Sequence, residues 1–158
     1  MVGSADQFRP VVDGGATFPA GFSAGAVYAG IKTPGPGKLD LAILASDRPA
    51  VAAGIFTTNA FCAAPVVVSR ERVARARARA VIANAGNANA CTGEQGLADA
   101  NEMAALAARK IDGGPEDVLV ASTGVPTVAK SQNQAASPGA IPMHPWLPGI
   151  PNVAGRRQ

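Results

Sequence analysis

Residues 80–93 read Ala80-Val-Ile-Ala-Asn-Ala-Gly-Asn-Ala-Asn-Ala-Cys-Thr-Gly93, an apolar run followed by a loop of small and polar residues. The run Ala80–Asn84 predicts a buried strand. Beyond the loop, apolar residues recur at helical spacing from Glu94 to Ile111, which predicts a helix. Thr92 with Gln95 three residues later fits a capping box at its start. A strand, a loop and a helix in this order indicate a mixed α/β fold.

Further strands are predicted on both sides of this stretch. Val118–Ala121 is a second buried strand that leads into Ser122-Thr-Gly-Val125. Leu39–Ala45 alternates as a strand does, and Val51–Thr58 is predicted to be its antiparallel partner across a turn at Ser46–Pro49. Pro65–Val68 predicts a short buried strand, after which Ser69 is predicted to cap a helical turn that starts at Arg70.

Composition excludes several classes of protein. The 158 residues suit one domain, and the 47% hydrophobic content argues against wholesale disorder. No run of about 18 apolar residues is present to span a membrane. Two cysteines without a C-x-x-C spacing and a single histidine exclude a disulfide framework and predict no metal site. A reduced, cytoplasmic protein is therefore the expectation.

Five arginines fall within ten residues, at positions 70, 72, 75, 77 and 79. Such a run could contact phosphates. It contains no aromatic residue for base stacking and matches no nucleic-acid-binding motif. A solvated helix face and connector is the favoured interpretation, and no nucleic-acid partner is predicted.

Two segments could carry chemistry. The loop at 84–93 offers three asparagines beside a helix start, which fits either an anion site or an elaborate loop with a helix cap. Within it, Cys91 is more often a small buried residue than a nucleophile. Ser122–Val125 could direct an N–H group and a hydroxyl at one point, as an oxyanion hole requires. His144 lies alone in a proline-rich stretch and is predicted to be exposed and non-catalytic.

Taken together, these segments resemble the ornithine acetyltransferases, the bifunctional glutamate N-acetyltransferases of arginine biosynthesis. The most specific motifs are Gly86-Asn-Ala-Asn-Ala-Cys-Thr-Gly93 and Ala121-Ser-Thr-Gly-Val125. The collinear matches are Gly15–Phe22, Gly30–Lys32, Asp40–Ile43, Ser46–Pro49, Ala53–Asn59, Cys62–Pro65, Val68–Arg72, Asn84–Ala100 and Val118–Val125.

The resemblance implies a layered α/β fold with sheets between helices. It implies acetyl transfer from N-acetylornithine to glutamate through a covalent acetyl-enzyme, with no cofactor other than acetyl-CoA as a donor for some members. Members of the family cleave themselves into two chains that oligomerise, and the new N-terminal threonine is the nucleophile. The Thr-Gly pair that forms the oxyanion hole matches Thr123 and Gly124.

After Val125 the family's motifs stop. The nucleophilic threonine and the substrate-binding lysine have no counterpart, Thr127 and Lys130 do not match them, and the substrate-binding residues stay unknown. We therefore divide the chain into a family-like segment, 1–125, and a proline-rich tail, 126–158, expected to be irregular. The segment is formally neutral, and the net charge of +3 comes from Lys130, Arg156 and Arg157.

Three functional hypotheses remain open from the sequence. The first is an acetyltransferase fragment that works only with a complementary chain and shows no turnover alone. The second is a non-catalytic fragment or regulatory binder that retains part of a substrate pocket. The third, less favoured, is a nucleic-acid-binding module that uses the arginine run.

Overall fold

The computed structural model describes Val12, residues 14–32 and residues 38–125. Its helices and strands are β1 Phe22–Val27, β2 Leu41–Val51, α1 Ala64–Val73, β3 Arg77–Gly86, α2 Gly93–Ala108 and β4 Val118–Gly124. A 3-10 turn, Pro115–Asp117, precedes β4. Within the described ranges, no helix is long and apolar enough to cross a membrane. The tail at 126–158, with His144, lies outside the described residues.

The four strands form one sheet in the order β1-β2-β3-β4. β2 runs antiparallel to both of its neighbours, whereas β4 runs parallel to β3, so α2 connects two parallel strands. This connection brings the carboxyl ends of β3 and β4 together, with Gly86 opposite Gly124. The start of β2 lies at the same end of the sheet, because Leu41 is opposite Asn84. Segments distant in sequence therefore meet at one end of the sheet.

Both helices pack on one face of this sheet and enclose the core. The strands contribute Leu41, Ile43, Ala80, Ile82, Val118 and Val120, and α2 contributes Ala100, Ala104, Ala107 and Ala108. Alanine is the strongest helix former, and its short side chain lets a helix approach a sheet closely. The same residues thus favour α2 locally and fit it to the core. The predicted helix is confirmed, although it ends at Ala108 rather than Ile111.

The predicted strand at Pro65–Val68 is wrong, because these residues lie in α1. Pro65 stands in the first turn, where its missing N–H group costs no hydrogen bond. The buried positions include Ala64, Val68 and Ser69, a spacing that places them on one helical face. Ser69 lies inside the helix and does not cap it. Packing on the sheet thus overrides the strand preference of three consecutive valines.

The predicted strand pair across Ser46–Pro49 is also wrong. β2 continues through these residues to Val51, with a register shift between Ala45 and Ala50 where it pairs with β3. Pro49 is tolerated there because the irregular stretch makes no regular ladder bonds. Residues 52–63 form no strand. The strands that pair with β2 are β1 and β3, and neither is the adjacent segment at 51–58.

The other face of the sheet is apolar and carries no described element. Its central residues alternate with the core residues along three strands, namely Ala42, Leu44, Val81, Ala83, Leu119 and Ala121. Val81 is 37% exposed, and Ala42 and Ala121 are exposed as well. An apolar surface of this kind favours association with another apolar surface.

We expect the 158-residue chain to self-associate through this open face at micromolar concentration and to bind the dye ANS. Leu119→Lys, which places a charge on the face, should reduce both dye fluorescence and the associated fraction in sedimentation velocity. Ile55→Lys is the matched control, because Ile55 is fully exposed outside the sheet and its replacement should change neither signal. A monomeric parent chain that binds no dye would contradict this expectation.

Candidate functional site

Three backbone segments meet at the carboxyl ends of β3 and β4. A Cβ atom on Gly124 would lie 2.5 Å from the carbonyl carbon of Gly86 and 2.7 Å from the amide nitrogen of Asn87. A Cβ atom on Gly86 would lie 2.5 Å from the Cα atom of Lys32. Both glycines have positive φ angles, +111° at Gly86 and +133° at Gly124. Only glycine permits this stacking of backbones.

The Ser122 hydroxyl joins the end of β4 to the loop that follows β3. It donates a hydrogen bond to the Asn87 carbonyl at 3.0 Å and accepts one from the Asn89 N–H group at 3.0 Å. Ser122 also lies directly opposite Asn84 in the parallel ladder. The loop and the strand end are therefore held as one unit.

Two of the three asparagines in the loop use their side chains to shape it. The Asn84 amide donates to the Asn87 carbonyl at 2.8 Å, and the Asn89 amide donates to the Gly96 carbonyl at 2.7 Å. The Thr92 hydroxyl donates to the side-chain oxygen of Asn89. Thr92 therefore makes no side-chain cap on α2, and the predicted capping box is wrong. Of the two interpretations of this loop, Asn84 and Asn89 favour the structural one.

Cys91 departs from the prediction that it is a small buried residue. Its side chain is exposed, and its φ angle of +57° places it in the left-handed region. The described residues contain no cluster of three or more His, Cys, Asp or Glu side chains that could hold a metal ion.

The third segment that meets at this end of the sheet is residues 29–32. It is organised by a buried carboxylate, Asp40, for which the sequence alone predicted no role. Asp40 accepts hydrogen bonds from the N–H groups of Ala29 and Ile31 at 2.6 Å and from that of Lys32 at 3.0 Å. Burial alone would raise the pKa of Asp40, but these backbone hydrogen bonds outweigh it and hold the pKa below the usual value. The available sequence signal was a lone acid directly after a Gly- and Pro-rich loop.

Thr123 and Gly124, the predicted oxyanion residues, lie exposed at the end of β4. The edge of β4 is covered upstream of them: the Val118 carbonyl accepts from Arg72 at 2.6 Å, and the Val120 N–H group and carbonyl bond to the Ser69 hydroxyl. Because backbone groups alternate in direction along a regular strand, we expect the N–H group of Gly124 on the same outer edge as that of Val120. Gly124 lies beyond the part of the β4 edge to which Ser69 and Arg72 bond.

The predicted solvated face of the arginine run is confirmed in part, because Arg70, Arg75 and Arg77 are exposed whereas Arg72 and Arg79 are half-buried. Arg72 is half-buried and bridges the Val118 carbonyl and the Asn101 side chain, and its burial lowers its pKa. Arg75 and Arg77 form ion pairs with the buried carboxylate of Asp117 at 3.4 and 3.2 Å.

The remaining two arginines also bind within the chain. Arg79 donates to the backbone carbonyls of Ser46, Asp47 and Asp112. Arg70 donates to the Thr57 carbonyl and lies 5.8 Å from the ring centre of Phe56. Side chains engaged in this way tie segments of the fold together.

Known proteins share this combination of fold and motifs. The ArgJ family model matches residues 23–136 and so continues past the last motif at Val125. The arginine biosynthesis bifunctional protein ArgJ of Dehalococcoides mccartyi is 56% identical over 113 residues, which are 72% of this chain and 28% of that protein. The ArgJ protein of Rhodopirellula baltica is 47% identical over 156 residues, 99% of this chain and 34% of that protein.

Solved structures of the family share the fold. The ArgJ crystal structure from Bacillus halodurans has a TM-score of 0.68 at 38% identity and covers 73% of this chain and 60% of that one. Ornithine acetyltransferase from Mycobacterium tuberculosis, complexed with ornithine, has a TM-score of 0.66 at 41% identity and covers 75% of this chain and 66% of that one.

The mixed α/β fold and the motifs thus agree with those of the ArgJ proteins to which this chain is similar. This chain belongs to the ArgJ family. It spans about a third or less of the length of the curated relatives it matches. The sequence-based identification of the family and the fold class is therefore confirmed.

The glycine contact can be tested by three alanine substitutions. Gly124→Ala should lower the free energy of unfolding by about 3 kcal/mol, because a Cβ atom there meets backbone and the φ angle is strained. Gly93→Ala should cost only about 1 kcal/mol, since its φ angle is +62° but nothing lies within 4 Å. Gly15→Ala, with open space and no strained angle, should be neutral. Equal losses at positions 124 and 93 in chemical unfolding would refute the contact.

The Asp40 carboxylate should make stability depend on pH. Because its pKa is lowered in the folded chain, its contribution is complete above the unfolded value near 3.8 and is lost as the pH falls through the folded value. Asp40→Asn should lower the unfolding free energy by about 2–3 kcal/mol at neutral pH, and the difference from the parent should shrink below about pH 4. Urea unfolding followed by circular dichroism measures both.

Asp112→Asn is the control for this substitution. Asp112 is exposed, and asparagine tolerates its φ angle of +49°. Its replacement should leave the pH profile unchanged. A pH-independent deficit in Asp40→Asn would show that the carboxylate charge is not the source of the stabilisation.

Proposed function

We propose that this chain supplies the oxyanion-binding part of an acetyltransferase that moves acetyl from N-acetylornithine to glutamate. The observation that carries the proposal is the position of Thr123 and Gly124 at the exposed end of β4, beside a loop that is hydrogen-bonded to Ser122. Support comes from the ornithine acetyltransferase of Mycobacterium tuberculosis, which is 41% identical and was solved with ornithine.

In the proposed reaction a threonine hydroxyl attacks the acetyl carbonyl carbon of N-acetylornithine. The threonine's own α-amine accepts the hydroxyl proton. The carbon–nitrogen bond then breaks, the proton passes to the departing amine of ornithine, and the acetyl group remains as an ester on the threonine. Attack by the α-amine of glutamate on that ester reverses these steps and releases N-acetylglutamate.

Negative charge develops on the acetyl oxygen in each half of this reaction. Donors directed at that oxygen stabilise the transition state, and loss of one such donor costs about 10²–10³-fold in rate. We assign this role to the backbone N–H group of Gly124 and the side-chain hydroxyl of Thr123. The exposure of both residues at the end of β4 favours this assignment.

The attacking threonine has no matched counterpart in this chain. The proposal therefore requires a complementary chain that carries it, and the active species is a two-chain enzyme of the cytoplasm that assembles into oligomers. The apolar open face of the sheet is consistent with such a partner. N-acetylornithine is the proposed acetyl donor, with acetyl-CoA as a second donor to be tested. No metal is required.

Complementation tests the proposal directly. The chain is to be co-expressed with the part of the Dehalococcoides mccartyi relative that lies beyond its match to this chain. We expect the purified mixture to release ornithine from N-acetylornithine and glutamate, whereas neither part does so alone. Addition of acetyl-CoA without N-acetylornithine examines the second donor.

Thr123→Val provides the matched control within this experiment, because valine keeps the shape of threonine but lacks the hydroxyl. It should reduce ornithine release by about 10²-fold or more while the two parts still co-purify. Robust release by the chain alone would overturn the requirement for a second chain. A co-purified pair without turnover would favour the alternative of a non-catalytic, substrate-binding remnant.

A further inference from the structure

Two serine hydroxyls connect β4 to neighbouring segments, Ser69 to α1 and Ser122 to the loop after β3. Ser69 on α1 donates to the Val120 carbonyl at 2.8 Å and accepts from the Val120 N–H group at 2.9 Å. Ser122 bonds to the loop in the same donor-and-acceptor manner, through Asn87 and Asn89. Each serine hydroxyl thus donates to one backbone carbonyl and accepts from one backbone N–H group, an arrangement that we call a serine clamp. Only the clamp at Ser122 directly precedes the proposed oxyanion residues.

The loop that Ser122 contacts is itself anchored at both ends. Asn84 ties it to the end of β3, and Asn89 ties it to the first turn of α2 through Gly96. α2 in turn packs its alanine face into the core. The Ser122 hydroxyl is therefore bonded to a loop that hydrogen bonds connect to β3 and α2.

Beyond Ser122, the parallel ladder pairs Thr123 with Ala85 and Gly124 with Gly86 at the end of the strand. Thr123 and Gly124 are exposed, and the glycine has no side chain with which to pack. The contact between the Gly86 and Gly124 backbones sets the distance between this strand end and the loop that follows β3. The hydrogen bonds of the Ser122 hydroxyl add a second connection to the same loop, directly before Thr123.

We propose that Ser122 is a positioning residue whose hydroxyl, held between Asn87 and Asn89, directs the Thr123 and Gly124 donors at the reacting acetyl oxygen. This inference rests on the proposed function. It differs from a structural role in a measurable way, since misplacement of a catalytic group by about 1 Å can cost about 10²-fold in rate without loss of the fold.

The test uses the complemented two-part enzyme. Ser122→Ala should lower kcat for ornithine release by about 10–100-fold, with KM for N-acetylornithine unchanged within about twofold. Ser122→Thr, which retains the hydroxyl, should recover most of the lost kcat. The melting temperature of each variant, recorded in parallel, separates a loss of direction from a loss of folding.

Ser69→Ala is the matched control, because it removes an equivalent clamp from the same strand at a buried position away from the proposed site. It should lower the melting temperature by about 4–8 °C while kcat stays at the parent value. An unchanged kcat in Ser122→Ala, or a loss matched by the same loss in Ser69→Ala, would overturn the positioning role. Absence of turnover in the parent mixture would instead overturn the proposed function, and the role of Ser122 with it.

Discussion

The close approach of the Gly86 and Gly124 backbones is the constraint on which the rest of this structure depends. Parallel pairing of β3 with β4 brings the two residues opposite each other, and the absence of both side chains lets the strands and Lys32 stack without a gap. α2 must then cross over one face, since parallel neighbours cannot be joined by a short turn. A side chain at either glycine would separate the loop at 86–93 from the strand end that it supports.

Polar side chains that bond to backbone fix the segments around this contact. Asp40 gathers three N–H groups of residues 29–32, and Ser69 and Arg72 cover the edge of β4. Such bonds are modest singly, yet a buried carboxylate or carbonyl left without them would carry its full desolvation cost. They also explain how a domain with only 4% aromatic residues holds irregular loops in place. One end of the sheet is thereby ordered, while its open face stays apolar and uncovered by described residues.

Local patterns predicted the parts of the fold whose residues agree with their tertiary surroundings. The buried runs at 80–84 and 118–121 and the alanine stripe of α2 form the elements that their periodicity indicates. The valines at 66–68 predict a strand by their local preference but lie in α1, because packing on β4 outweighs a preference of at most about 1 kcal/mol. Ser46–Pro49 has the composition of a turn but lies within β2, because the paired neighbours come from distant parts of the sequence.

The sequence by itself determined the family, the fold class and the positions of the two glycine-containing motifs, because these depend on residue types at short spacing. Only the tertiary structure showed that Ser122 joins those motifs, that Asp40 orders the segment at Lys32, and that the arginines at 70–79 bind backbone and carboxylates inside the chain. Each of these contacts joins residues that are at least eight positions apart. Composition and periodicity describe a single segment and therefore carry no information about which distant segment it will meet.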